Sequence, residues 1–152
     1  MPLEPGESTP TVTASNQDAE NVTLTFETPT VLYFYPRDDT PGCTIEANQF
    51  QRELETYRDA GVSVYGVSID DVESHEAFCE QEGLEFDLLA DPDAEIAAAF
   101  DVDRRESGPT ERTTFVLADG EVKAVYENVD PDGHARDVLF DALEAELVSL
   151  PD

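Results

Sequence analysis

Thr30 to Tyr35, reading T-V-L-Y-F-Y, is a run of β-branched, aliphatic and aromatic residues with no charge, the composition of a strand buried on both faces. Pro36 closes it, because proline cannot donate to a ladder. After the polar Arg37-Asp38-Asp39, Thr40 suits a helix N-cap and Pro41 the first helical position. The helix is predicted to run to about Asp59, with Ile45, Phe50, Leu54 and Tyr57 as its apolar stripe and Gly61 as its stop. Val62 to Ile69 reads as a second buried strand, and strand–helix–strand at this spacing implies a right-handed parallel crossover. Asp71 caps a predicted helix from Val72 to Glu82, closed by Gly83 and carrying Phe78 and Cys79.

Beyond it, Phe86 to Leu89 reads as a short third strand, and Asp91-Pro92-Asp93 starts a short helix from Ala94 to Phe100, with Ile96 and Phe100 inward. Arg104 to Glu111 is a polar loop. Arg112 to Leu117 and Val122 to Tyr126 flank Ala118-Asp119-Gly120-Glu121, a hairpin signal. A last helix is predicted from His134 to about Val148, with Val138, Leu139, Leu143 and Leu147 at helical spacing. At the other end, Thr11 to Thr13 and Val22 to Leu24 alternate as strands about the turn residues Ser15 to Asp18, and residues 1 to 9 are expected to be a mobile lead-in.

Length and charge narrow the class. A chain of 152 residues suits one domain with a continuous core, here residues 1 to 152. There is no apolar run long enough to span a membrane and no basic, apolar leader, so a cytoplasmic protein is expected. Asp and Glu number 36 against 8 Lys and Arg, a formal net charge of −28 spread along the chain rather than gathered in a tail. Such a shell disfavours nucleic acid and anionic membranes as partners. It repels itself in dilute buffer, whereas at about 1 M salt the Debye length falls to about 3 Å. A halophile-type surface that needs salt to hold its fold is therefore expected.

Two cysteines without an export signal point to redox or metal chemistry rather than a disulfide framework. No CxxC occurs, which disfavours a disulfide oxidoreductase. The two Cys and two His match no zinc spacing, and no cofactor is expected. Cys43 falls in the first turn of its helix, where free N–H groups and the positive end of the dipole favour a thiolate, the nucleophilic form. Gly42 lets the backbone come close to a small substrate. His75 lies one turn before Cys79 and His134 opens the last helix; solvent-side or capping roles are expected for both.

Pro36-x-x-x-Thr40-x-x-Cys43 resembles the active-site motif of peroxiredoxins, and the fuller Y-F-Y-P-R-D-D-T-P-G-C-T-I-E resembles their Q subfamily, the bacterioferritin comigratory protein type. The similarity continues through Gly66 to His75, Phe86 to Asp93, Arg112 to Leu117 and Gly133-His134. The resemblance implies a thioredoxin-like fold, a central mixed sheet with helices on both faces. It implies a thiol peroxidase in which Cys43 attacks the peroxide and becomes a sulfenic acid. Thr40 would turn its hydroxyl toward the sulfur or peroxide, Pro36 would shield the thiolate, and Arg112 stands where the family places its active-site arginine. Glu46 would orient Arg112. Many members of the subfamily carry the resolving cysteine at the position that is Asn48 here; some place it in the next helix, as Cys79. Bridging Cys43 to Cys79 would need Cα atoms within about 7 Å, hence local unwinding of both segments on oxidation. An external thiol resolving a one-cysteine enzyme stays open, as does a peroxide sensor passing oxidation to a partner. The implied reductant is thioredoxin or a similar dithiol, and the implied assembly a monomer or weak homodimer.

Overall fold

The computed structural model describes residues 2–105 and 108–148. Its centre is a five-stranded sheet in the order β5-β4-β3-β6-β7. The strands are β3 (Thr30–Phe34), β4 (Ser63–Ser68), β5 (Asp87–Ala90), β6 (Thr113–Ala118) and β7 (Glu121–Glu127). β3, β4 and β5 are parallel, as expected for strands joined by helical crossovers, while β6 pairs antiparallel with both β3 and β7. β3 is buried along its whole length, which is why it lacks polar alternation.

Alternate residues of β3 feed two cores. Val31, Tyr33 and Tyr35 join the apolar faces of α1 (Pro41–Asp59) and α4 (His134–Glu144), together with Phe78 and Cys79 of α2 (Val72–Glu82). Leu32 and Phe34 face the opposite core with Ile96 and Ala97 of α3 (Glu95–Ala99) and Phe100. A hairpin of β1 (Val12–Ser15) and β2 (Asn21–Leu24) packs on that second side. This is the thioredoxin-like arrangement, with helices on both faces of a mixed sheet. Gly66 is fixed by packing, because a Cβ there would meet Leu88 Cδ2 at 2.7 Å and the Tyr33 ring at 2.9 Å.

Several expectations need correction. Ile45 is 43% exposed; the inward face of α1 is Cys43, Glu46, Ala47, Phe50, Leu54 and Tyr57, a helical spacing that Ile45 misses. The last helix stops at Glu144 rather than Val148. Glu146 takes a left-handed backbone at φ 58° and the Leu147 N–H reaches back to the Ala142 carbonyl, a helix stop made without glycine. The lead-in is hydrogen-bonded to the body instead of free: Leu3 N–H donates to Phe100 O, Gly6 N–H to Val122 O and Thr9 N–H to Gly120 O. At the hairpin turn, Asp119 and Gly120 both have positive φ, the geometry of a two-residue connection that matches sheet twist. No helix among the described residues is long and apolar enough to cross a membrane.

Candidate active site

The register of β3 against β6 sets the site. Phe34 pairs with Thr113, so Arg112 stands level with the end of β3, where the chain turns into α1. The Thr110 hydroxyl donates to the Tyr35 carbonyl at 3.1 Å and secures the loop ahead of Arg112. Thr40 takes the extended backbone of an N-cap (φ −103°, ψ 155°), with Pro41 behind it. Its hydroxyl does not cap the helix; it donates to the Arg37 carbonyl at 3.1 Å.

Arg112 divides its guanidinium between two groups. Nη2 donates to Cys43 Sγ at 3.2 Å and Nη1 to Glu46 Oε1 at 2.9 Å. A cationic donor of this kind bonds a thiolate more strongly than a thiol. Glu46 is 1% exposed; burial pushes its carboxyl up from 4.5 to about 7, against the opposing pull of Arg112. Its second oxygen, Oε2, has no partner among the described residues. Gly42 makes the contact possible, since a Cβ there would lie 2.6 Å from Arg112 Nη2.

A cleft of about 420 Å³ opens above this group, lined by Pro36, Arg37, Thr40, Gly42, Arg105, Pro109 and Arg112. Cys43 itself is buried beneath the lining, with Arg112 reaching both the cleft and the sulfur. Five of the residues singled out from sequence, Pro36, Thr40, Cys43, Glu46 and Arg112, therefore converge on one place.

Cys79, which does not line this cleft, is buried on α2, and both cysteines are free thiols. Burial pushes its thiol up to about 12, with the charges of Asp38, Asp18 and Asp87 adding to the effect. Asn48 donates to Glu82 Oε1 at 2.9 Å, tying α1 to α2. Tyr33 stacks on Phe50 with ring centroids 4.5 Å apart, and its buried hydroxyl has no partner among the described residues.

The histidines depart from expectation, for neither is solvent-side or a cap. His75 is fully buried, between Asp38 and the Leu89 carbonyl. His134 is buried with Nε2 2.8 Å from Thr114 Oγ1, and burial holds its pKa down at about 4. Sequence reasoning also missed Asp38, which sits in the loop before Thr40 and makes side-chain hydrogen bonds with nearby Tyr35 and with Ser74 and His75 of α2. Among the described residues, Asp38, Asp70 and His75 bring their carboxylate and imidazole atoms within 4.8 Å of one another. Those atoms already bond one another and neighbouring groups.

The chain resembles proteins of one kind throughout. The AhpC/TSA family model matches residues 5–125. A peroxiredoxin Bcp of Xanthomonas campestris is 40% identical over 122 residues, covering 76% of each chain. A peroxiredoxin Bcp of Escherichia coli is 36% identical over 152 residues, covering 94% of this chain and 97% of the relative. Among solved structures, peroxidoxin BcpB of Mycobacterium tuberculosis superposes with a TM-score of 0.86 at 32% identity, covering 94% and 97% of the two chains. Peroxiredoxin Q of Xanthomonas campestris has been solved as two cysteine-to-serine mutants, each at 35% identity and a TM-score of 0.82 over 89% of this chain; their substituted positions lie 36 residues apart.

Proposed function

Given that the chain belongs to the AhpC/TSA family and is a thiol-dependent peroxidase, we propose that Cys43 is its peroxidatic thiol and Cys79 its resolving one, within a single catalytic domain spanning residues 1 to 152. The observation that carries the first assignment is the Arg112 Nη2 donor 3.2 Å from Cys43 Sγ, at the floor of a cleft. Support for the second is spacing: Cys43 and Cys79 stand 36 residues apart, like the two substituted cysteines of the Xanthomonas protein.

In this reading the Cys43 thiolate attacks one peroxide oxygen, the O–O bond breaks, and the departing oxygen leaves as water or an alcohol after taking a proton. Arg112 stabilises negative charge first on sulfur and then on the departing oxygen. Thr40 commits its proton to the Arg37 carbonyl, which leaves its oxygen lone pairs to accept from the peroxide O–H. Pro36 and Pro109 wall the cleft, and Glu46 holds Arg112 in line. Cys79 sulfur then displaces water from the Cys43 sulfenic acid, and the disulfide is reduced by a thiol donor. With its thiol up near 12, Cys79 is protonated where it rests, so resolution requires α2 to shift and both segments to unwind locally.

The substrates in this reading are hydrogen peroxide and organic hydroperoxides. The reductant is a thioredoxin-like dithiol, the compartment cytoplasmic, and the assembly a monomer or weak homodimer. Peroxide consumption with a dithiol donor in high KCl tests the assignments: Cys43→Ser is expected to be dead, while Cys79→Ser keeps its first turnover and loses efficient recycling. Mass spectrometry of peroxide-treated wild type decides the second cysteine. A lasting sulfenic or sulfinic Cys43 beside a free Cys79 would sink the internal bridge.

A further inference from the structure

The loop before Cys43 and the helix that carries Cys79 are joined by one buried polar cluster. Asp38 Oδ1 accepts from the Tyr35 hydroxyl at 2.6 Å, and Oδ2 accepts from the Ser74 hydroxyl at 2.8 Å. The same Oδ2 faces His75 Nδ1 at 2.7 Å. The Asp38 backbone N–H donates to Asp70 Oδ2 at 2.7 Å, an oxygen that also accepts from Ser68 Oγ at 2.6 Å. On the far side of the ring, His75 Nε2 lies 3.0 Å from the Leu89 carbonyl oxygen.

A carbonyl oxygen only accepts, so the Nε2 facing Leu89 carries a hydrogen, and Nδ1 shares a hydrogen bond with Asp38 Oδ2 across the two segments. We infer that the Asp38–His75 bond, with the Ser74 hydroxyl beside it, fastens α2 to the loop ahead of Cys43 and so restrains the release of Cys79.

Little else holds α2 down. Its buried side chains are His75, Phe78 and Cys79. The ties farther along the helix, Gln81 to Asp39 and Asn48 to Glu82, are exposed or half-buried and correspondingly weak. Any swing of Cys79 toward Cys43 must therefore give up the Asp38–His75 pair. The kinetic consequence rests on the reading of Cys79 as the resolving thiol; the attachment of α2 does not.

Two variants test the fastening. His75→Gln loses the ring that spans Asp38 and the Leu89 carbonyl, while Ser74→Ala removes only the hydroxyl bond to Asp38. After a single-equivalent peroxide pulse, the Cys43–Cys79 bridge should form at least about tenfold faster in His75→Gln and about threefold faster in Ser74→Ala. Cys43 oxidation itself should stay within about twofold, a split that general damage to the fold would not produce. Amide exchange along α2 in the reduced protein should accelerate by similar factors. Unchanged bridging and unchanged exchange would refute the inference. Faster exchange in variants of a protein that never forms the bridge would uphold the fastening and remove Cys79 from the reaction. If His75→Gln fails to fold, Ser74→Ala decides alone.

Discussion

Replacing Arg112 by methionine strips the counter-charge from a carboxyl group that is almost wholly out of water. In the parent, burial places the Glu46 carboxyl at about 7 against its ordinary 4.5. A carboxyl raised in the folded chain binds its proton more tightly there than in the unfolded chain. The stability it contributes is complete below 4.5 and is lost as pH rises through about 7. At about 1.36 kcal/mol per pH unit, that interval amounts to about 3 kcal/mol. Without Arg112, the attraction and the hydrogen bond that pull Glu46 downward both vanish, and the carboxyl stays protonated to higher pH. The variant should then lose about 1.4 kcal/mol against the parent for each pH unit above about 7, and nothing from this source at about pH 6. With Glu46→Gln already present there is no carboxyl to titrate, and the cost of Arg112→Met should be flat. Urea unfolding at about pH 6 and about pH 8.5 in about 2 M KCl measures this, with every chain carrying Cys43→Ser so that Glu46 and Arg112 are compared alone. An equal cost of Arg112→Met at both pH values would refute the claim that Arg112 is what lets Glu46 ionise.

Two further outcomes follow from geometry and charge. Gly42→Ala should displace the guanidinium and slow peroxide consumption about 10- to 100-fold, while stability changes by less than about 1 kcal/mol because alanine favours the helix; a wild-type rate would mean that the Arg112–Cys43 contact does not matter. The melting temperature should climb steeply between about 0.1 M and about 3 M KCl as repulsion within the −28 shell is screened, and a flat profile in calorimetry would contradict the salt-dependent surface.

Much of the fold was legible because local signals were unambiguous. Asp71 and Gly83 bracket α2 at the residues read from sequence, Asp71 accepting from the Ser74 N–H and Gly83 adopting φ 67°. Asp119-Gly120 marked its hairpin for the same reason. Where the reading strayed, the deciding partner lay far along the chain. Ile45 looked like a core residue, but α1 exposes it and turns Glu46 inward, where Arg112, 66 positions onward, meets the carboxylate. His75 and Asp38 left no periodic trace, each being a single polar residue whose need for a partner is met 37 positions away. The Thr40–Pro41–Cys43 turn was readable as chemistry, yet the direction of the Thr40 hydroxyl depends on a carbonyl that only the folded loop presents.

Both borders of the central sheet are partly occupied from within the chain. Along β7, residues 6 to 9 exchange backbone bonds with Gly120 and Val122, and the strand carries the sole lysine, Lys123. At β5, the Gln17 amide grips Leu88 N–H and the Asp87 carboxylate like a stub of neighbouring strand. Brine that quiets electrostatic self-repulsion also removes the force that keeps acidic molecules apart. Under those conditions, protection from strand-to-strand aggregation falls in part to these covered stretches, which shorten the ladder that a second molecule could extend.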